Sequence, residues 1–165
     1  MAATYEPIAT TTLGSAQANV EFTSISGFFT DLLLIMNLGN ASSENTLIQF
    51  NSDTGSNYSF TFLSGDGSSA SSGRSSNQTQ IRVESNSAPG TGASSAIDLV
   101  YIMNYSNTTT NKTVLTRSNN AAAGTAATVG LWRNTNAITS IKIFGVSASN
   151  LVAGSTFTLY GIKAA

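Results

Sequence analysis

The chain has 165 residues, a formal net charge of −1 and only 9% Asp, Glu, Lys and Arg, against about 25% in ordinary soluble domains. It contains no cysteine and no histidine, which excludes disulfides, thiolate nucleophiles, zinc–thiolate centres and the commonest general base. With so few Lys and Arg there is no basic stripe for nucleic acid, and a mass of 17.0 kDa suits one self-standing domain spanning residues 1–165.

Along the chain, residues 1–15 ("MAATYEPIATTTLGS") read as an N-terminal arm or a first strand. They lack the basic n-region and apolar h-region of a signal peptide, so the expectation is a protein made in a cytoplasm and used as it is. Asn19 to Ser24 ("NVEFTS") alternates, with Val20 and Phe22 on one face. Asp31 to Asn37 ("DLLLIMN") is a continuous apolar run, the pattern of a strand covered on both faces. Its apolar core, Leu32 to Met36, is far too short to cross a bilayer, so no membrane partner is expected. Thr46 to Phe50 and Tyr58 to Leu63 follow as strands. Ser64 to Gln78 ("SGDGSSASSGRSSNQ") and Ser85 to Ser95 ("SNSAPGTGASS") read as long Ser/Gly-rich loops within residues 64–95, with Pro89-Gly90 a turn signal and Ile81 to Glu84 a short edge strand. Ala96 to Tyr105 ("AIDLVYIMNY") places Ile97, Leu99, Tyr101 and Met103 on one face and Asp98, Val100 and Ile102 on the other. Thr113 to Arg117, Ala127 to Arg133, Ile138 to Gly145 and Thr156 to Ile162 complete the set. No window carries a capped helical stripe. Short strands punctuated by Gly, Asn and Ser predict an all-β chain, an antiparallel β-sandwich of jelly-roll type.

One stretch, Phe50 to Phe60 ("FNSDTGSNYSF"), gathers oxygen-bearing side chains around a glycine. Counted from Asn51, an EF-hand loop needs a ligand where Gly55 stands and a bidentate Glu where Phe62 stands, so the match fails. The reading that fits is a hairpin turn, in which Asp53 bonds local backbone and Gly55 supplies a positive φ. No metal and no cofactor is expected. The eight acidic residues, Glu6, Glu21, Asp31, Glu44, Asp53, Asp66, Glu84 and Asp98, are scattered, and no short motif joins two of them. A glycosidase would need the fold to bring a pair together across a cleft, and no catalytic residue is assigned. The lone tryptophan, Trp132, and its neighbour Arg133 are candidates for a core or interface anchor, with a sugar-stacking platform as the alternative.

Three stretches carry a resemblance: "YEPIATTTLGSA" at Tyr5 to Ala16, "FNSDTGSNYSF" at Phe50 to Phe60, and "GSTFTLYGIKAA" at Gly154 to Ala165. "IMNYSNTTTNKTVLTRSN" and "ATVGLWRNTNAITSIKIFG" add to it. Together they resemble a family of small β-rich virion structural proteins from tailed bacteriophages, notably phages of aquatic bacteria. The resemblance implies a virion component on an antiparallel sandwich, made in the host bacterial cytoplasm. The expected role is a capsid decoration (cement) protein that braces the major capsid shell. It would act as a homotrimer docked on the major capsid protein or another virion protein, with Tyr5, Ile8, Trp132 and Arg133 as candidate interface residues. The alternative role is a tail or head-fibre module that binds host-surface glycans. Neither role involves catalysis. A broad apolar face and an outreaching N-terminal arm favour decoration. An exposed group of Trp132, a tyrosine and Asn/Asp side chains favours the glycan module.

Overall fold

The structure, a computed structural model, describes residues 4–39, 45–84 and 96–163. Among them run the strands β1 (Tyr5–Thr12), β2 (Asn19–Phe22), β3 (Asp31–Leu38), β4 (Thr46–Phe50), β5 (Tyr58–Gly65), β6 (Ala70–Gln78), β7 (Ile81–Arg82), β8 (Ala96–Met103), β9 (Lys112–Asn120), β10 (Gly124–Trp132), β11 (Ile141–Gly145) and β12 (Thr156–Ile162). The sole helical piece in the described residues is one 3-10 turn, Val146–Ala148. Every strand pairing is antiparallel.

The strands form an eight-stranded sheet, β1-β12-β3-β8-β9-β10-β5-β6, and a four-stranded sheet, β2-β11-β4-β7. With the hairpins β5–β6 and β9–β10 set aside, the orders reduce to 1-12-3-8 and 2-11-4-7. That is the double Greek key of a jelly roll. The hairpins attach beyond β8 and widen one sheet to twice the strand number of the other. The accessible surface, 7757 Å2, matches the roughly 7,700 Å2 expected of one compact body of this mass.

Antiparallel register aligns side chains into rows across the large sheet. One inner row reads Gly161–Leu32–Ile102–Val114–Gly130–Phe60. Gly130 sits where the opposite sheet presses in, and Gly161 where the β2–β3 connection does. A Cβ on Gly161 would lie 2.3 Å from the Phe29 ring, and one on Gly130 would lie 2.7 Å from Ile81 of β7. A second inner row, Phe157–Met36–Asp98–Ser118–Ala126–Ser64, starts apolar and turns polar at β8. The apolar run of β3 is covered differently from expectation. Leu32, Leu34, Met36 and Leu38 face the core, whereas Leu33 is buried on the outer face between Tyr160 and Tyr101 of its neighbours.

The Ser/Gly-rich stretch Ser64 to Gln78 is not a loop. β5 continues to Gly65, a short turn follows, and β6 runs back along β5 as the edge of the large sheet. Asp66 builds the turn, its Oδ1 accepting the Ser68 and Ser69 N–H groups at 2.9 and 2.7 Å while Gly67 adopts φ 91°. An edge strand with exposed side chains needs backbone partners and no apolar face, so its composition hid it. The readings for 85–95, the Pro89-Gly90 turn among them, lie outside the described residues. Ile81 to Glu84 does provide an edge strand, β7, paired with β4 in the small sheet. Of the two readings for residues 1–15, the first strand is the one observed. β1 pairs with β12 from Tyr5↔Ile162 to Thr12↔Thr156, with an irregularity between Pro7 and Ala9. Lys163 Nζ bonds Glu6 Oε1 at 2.6 Å and closes that end.

Candidate functional site

The stretch Phe50 to Phe60 is not a hairpin turn. β4 lies in the small sheet and β5 in the large one, so the segment crosses between layers. The tight turn sits earlier than expected, with Asp53 N–H donating to Phe50 O at 2.9 Å and with Asn51 and Ser52 at φ 52° and 55°. Gly55 does not supply the positive φ. Its requirement is space, because a Cβ there would lie 2.8 Å from Asn57 Nδ2 and 3.0 Å from Asp53 Oδ1. Asn51 extends the crossing to a second loop. Its amide donates to Ala137 O at 2.8 Å, and its Oδ1 accepts the N–H groups of Thr139 and Ser140 at 2.8 and 3.1 Å.

Asp53 is the hub. Oδ1 accepts the Gly55 N–H at 2.9 Å and Oδ2 accepts the Trp132 indole N–H at 2.7 Å. Asn57 Nδ2 reaches both oxygens, at 3.3 and 3.0 Å. Burial raises the carboxyl's pKa, but the bonds from Trp132, Asn57 and Gly55 together outweigh it and leave the group below its usual range. Trp132 is fully buried, stacked at 18° on Tyr58 with centroids 6.2 Å apart and tilted on Phe50 at 5.6 Å. Burial pushes the Tyr58 phenol up, and its hydroxyl lies within hydrogen-bond distance of Phe50 O and Asp53 O. Arg133 holds the outer side, donating through Nη2 to Ser56 O at 2.8 Å and Asn77 Oδ1 at 3.3 Å. Tryptophan, tyrosine, Asp and Asn are therefore grouped, but with the tryptophan and tyrosine rings inside the protein. No exposed aromatic platform forms at Trp132.

This wiring predicts the response to calcium. The lone pairs that would ligate a cation already accept N–H groups, so millimolar calcium is expected to leave the melting temperature unchanged. A rise of several degrees that Asp53→Ala abolishes would contradict it.

The fold does bring together two carboxyls that no motif announced. Glu84, just past β7, and Asp98, on β8, lie side by side and are both fully buried. A glycosidase pair must flank a substrate bond in an open cleft, and these two are sealed from solvent between the sheets. Lys112 is also buried without a carboxylate. Its ammonium donates to Thr110 O at 2.8 Å and Thr135 O at 3.0 Å, and burial lowers its pKa.

The most apolar open feature among the described residues is the outer face of the eight-stranded sheet. One row reads Tyr160–Leu33–Tyr101–Leu115–Val129–Thr61 and the next Thr158–Ile35–Leu99–Arg117–Ala127–Leu63. Leu63 is 66% exposed, Leu115 46% and Val129 45%, with Ile97 and Met103 exposed beside them. A shallow groove of about 490 Å3 runs along Leu63, Leu99, Tyr101, Leu115 and Val129, and Arg117 is its one charged residue. Sequence reading named the Ile97–Leu99–Tyr101–Met103 face correctly but gave no sign that it points outward. Of the proposed interface residues, Tyr5 is half exposed, Ile8 packs partly on the core, Arg133 is half-buried and Trp132 is inaccessible.

The geometry defines a jelly-roll sandwich with a wired inter-sheet crossing, a buried acid pair and an apolar outer face. No family model matches the chain, and no curated protein matches it. Among solved structures, a mutant alginate lyase in complex with an alginate tetrasaccharide is similar at 8% identity and a TM-score of 0.34, over 94% of this chain and 80% of that one. A likeness of that size carries no argument about activity.

Proposed function

We propose that this chain is a structural subunit of a phage virion, a capsid decoration protein that braces the shell as a homotrimer on the major capsid protein. The observation that carries the reading is the outer face of the large sheet. Contiguous exposed apolar residues on one sheet face, unlike singly scattered ones, mark protein contacts. Leu63, Leu99, Leu115, Val129 and Tyr101 lie contiguous across four strands with only Arg117 among them. A sparsely charged polar periphery adds little repulsion between closely packed copies. Many modest contacts of this kind act together once a coat is assembled. The residues that resemble virion proteins supply the virion context.

The N-terminal segment has a different part in this reading from the one expected of an arm. β1 is a paired strand, and removing residues 1–12 would strip the edge from β12. The docking element is the sheet face instead. No catalytic step belongs to this reading, and the glycan module loses its platform with Trp132 buried.

The test pairs Leu115→Glu with Val129→Lys, opposite charges at two directly paired positions. Both side chains are exposed, so the variant is expected to fold as the parent does, with an unchanged circular dichroism spectrum. Its rebinding to stripped particles is expected to weaken roughly tenfold or more, as loss of a central apolar contact does. Sedimentation of the isolated proteins reports whether the same face holds the trimer. A monomer that ignores capsids and binds host cells or polysaccharide would replace this reading with the adhesin.

A further inference from the structure

Glu84 and Asp98 approach from opposite layers. Glu84 belongs to the small-sheet side, where its Oε1 accepts the Thr46 N–H of β4 at 2.7 Å and Val83 N–H bonds Thr46 O at 2.9 Å. Asp98 stands in the large sheet, in register with Met36 of β3 and Ser118 of β9. Glu84 Oε2 receives no donor from the rest of the described protein, and Asp98 has only the Ser118 hydroxyl beside it, whose long 3.4 Å bond goes to Val83 O. Each carboxyl lies within hydrogen-bond reach of the other. Two carboxylates offer each other only lone pairs, so such a contact holds only when one of them carries a proton. The Thr116 hydroxyl reinforces the same junction from β9, donating to Val83 O at 2.6 Å.

We propose that Glu84 and Asp98 form a proton-sharing latch between the two sheets, closed when Glu84 Oε2 donates to Asp98 and forced apart when both groups are ionised. This inference is independent of the virion reading. Met36 of β3 and Ser118 of β9 flank Asp98, Thr46 of β4 holds Glu84, and none of them titrates. No charge other than that of the partner carboxyl acts on either group. Burial raises Glu84 well above the usual range, and the Asp98 charge raises it further. Burial raises Asp98 to about 6, with Ser118 and Glu84 offsetting part of the rise. Asp98 is therefore the first to ionise and Glu84 keeps the shared proton.

Both folded-state values lie above the unfolded ones, so the folded protein binds more protons than the unfolded chain. The latch's stability is fully present below about pH 4 and is lost as pH rises through about 6 for Asp98 and higher for Glu84. Asp53 and Asp66 are held low and act the other way, costing stability in acid.

The experiment follows the melting temperature from pH 5 to 8 for the parent and Glu84→Gln. A glutamine amide donates to Asp98 at every pH, so the variant keeps the bridge, removes the titration of Glu84 and the repulsion between two carboxylates, and leaves only the titration of Asp98. Relative to the variant, the parent is expected to lose roughly 5–10 °C over this range. Parallel profiles overturn the proposal. If Glu84→Gln does not fold, carbon-13 titration of the parent's carboxyl groups decides. Midpoints near 6 for Asp98 and higher for Glu84 support the latch, and ordinary midpoints for both overturn it. Millimolar calcium or magnesium is added at pH 8 as a control. A rise in the parent that Glu84→Gln abolishes means a cation, not a proton, joins the pair, and that also overturns the proposal.

Discussion

Trp132→Ala is expected to cost about 3–5 kcal/mol, the range for removing a large buried aromatic. The side chain is inaccessible to water and touches Phe50 and Tyr58, so the space it leaves is walled by rings that cannot collapse far. A second loss comes with it, because Asp53 Oδ2 gives up its 2.7 Å indole donor in a partly buried site. For a chain of this size the melting temperature should fall by roughly 6–20 °C. Trp132→Phe keeps most of the ring volume and removes only the donor, so it should cost clearly less. Urea unfolding of the two variants separates the packing loss from the hydrogen-bond loss. Equal costs would mean that the Asp53 bond, not the packing, holds the crossing.

Gly130→Val is the second large effect expected. The new Cβ would fall 2.7 Å from Ile81 Cγ2 and 2.8 Å from its Cδ1, and Ile81 is itself fully buried. Overpacking of this kind costs about 1–3 kcal/mol, sometimes more, as β10 and β7 are pushed apart. The compensating change is Ile81→Ala, which alone leaves a cavity. The two changes share one space, so the double variant should be more stable than the sum of the single effects predicts. Additive costs in denaturant titrations would show that the glycine answers some other constraint.

What sequence reading captured was what alternation records. Val20 and Phe22 on β2, and Val100 and Ile102 on β8, each share one buried face as their alternation groups them, although for β8 alternation does not tell which of its two apolar faces is inner. The all-β sandwich follows from the same signal. β6 escaped because an edge strand of Ser, Gly and Asn leaves no apolar period; its evidence is the ladder to β5. Asp53 and Gly55 are legible as local turn chemistry, but Gly55 has no positive φ; a Cβ there would displace the Asn57 amide and strain its bonds to Asp53. The Asp53–Trp132 bond joins residues 79 apart, and no local spacing encodes it. Glu84 and Asp98 belong to different sheets, so their meeting depends on how the layers stack. One signal was present: Asp98 shares its face with Val100 and Ile102, and an acid on a strand's inner face needs a partner.

The pairing of β1 with β12 sets how the molecule bears load. Tyr5 faces Ile162 and Thr12 faces Thr156, so the outer ends of the first and last strands lie side by side. Tension applied across those two ends pulls perpendicular to the ladder and meets its hydrogen bonds one after another, like a zip. Tension applied along β1 against β12 would meet all of them at once. The seam is therefore mechanically soft toward its own chain ends and stiff along the strands. A load applied along the strands, with the zip unloaded, would pass through the stiff direction.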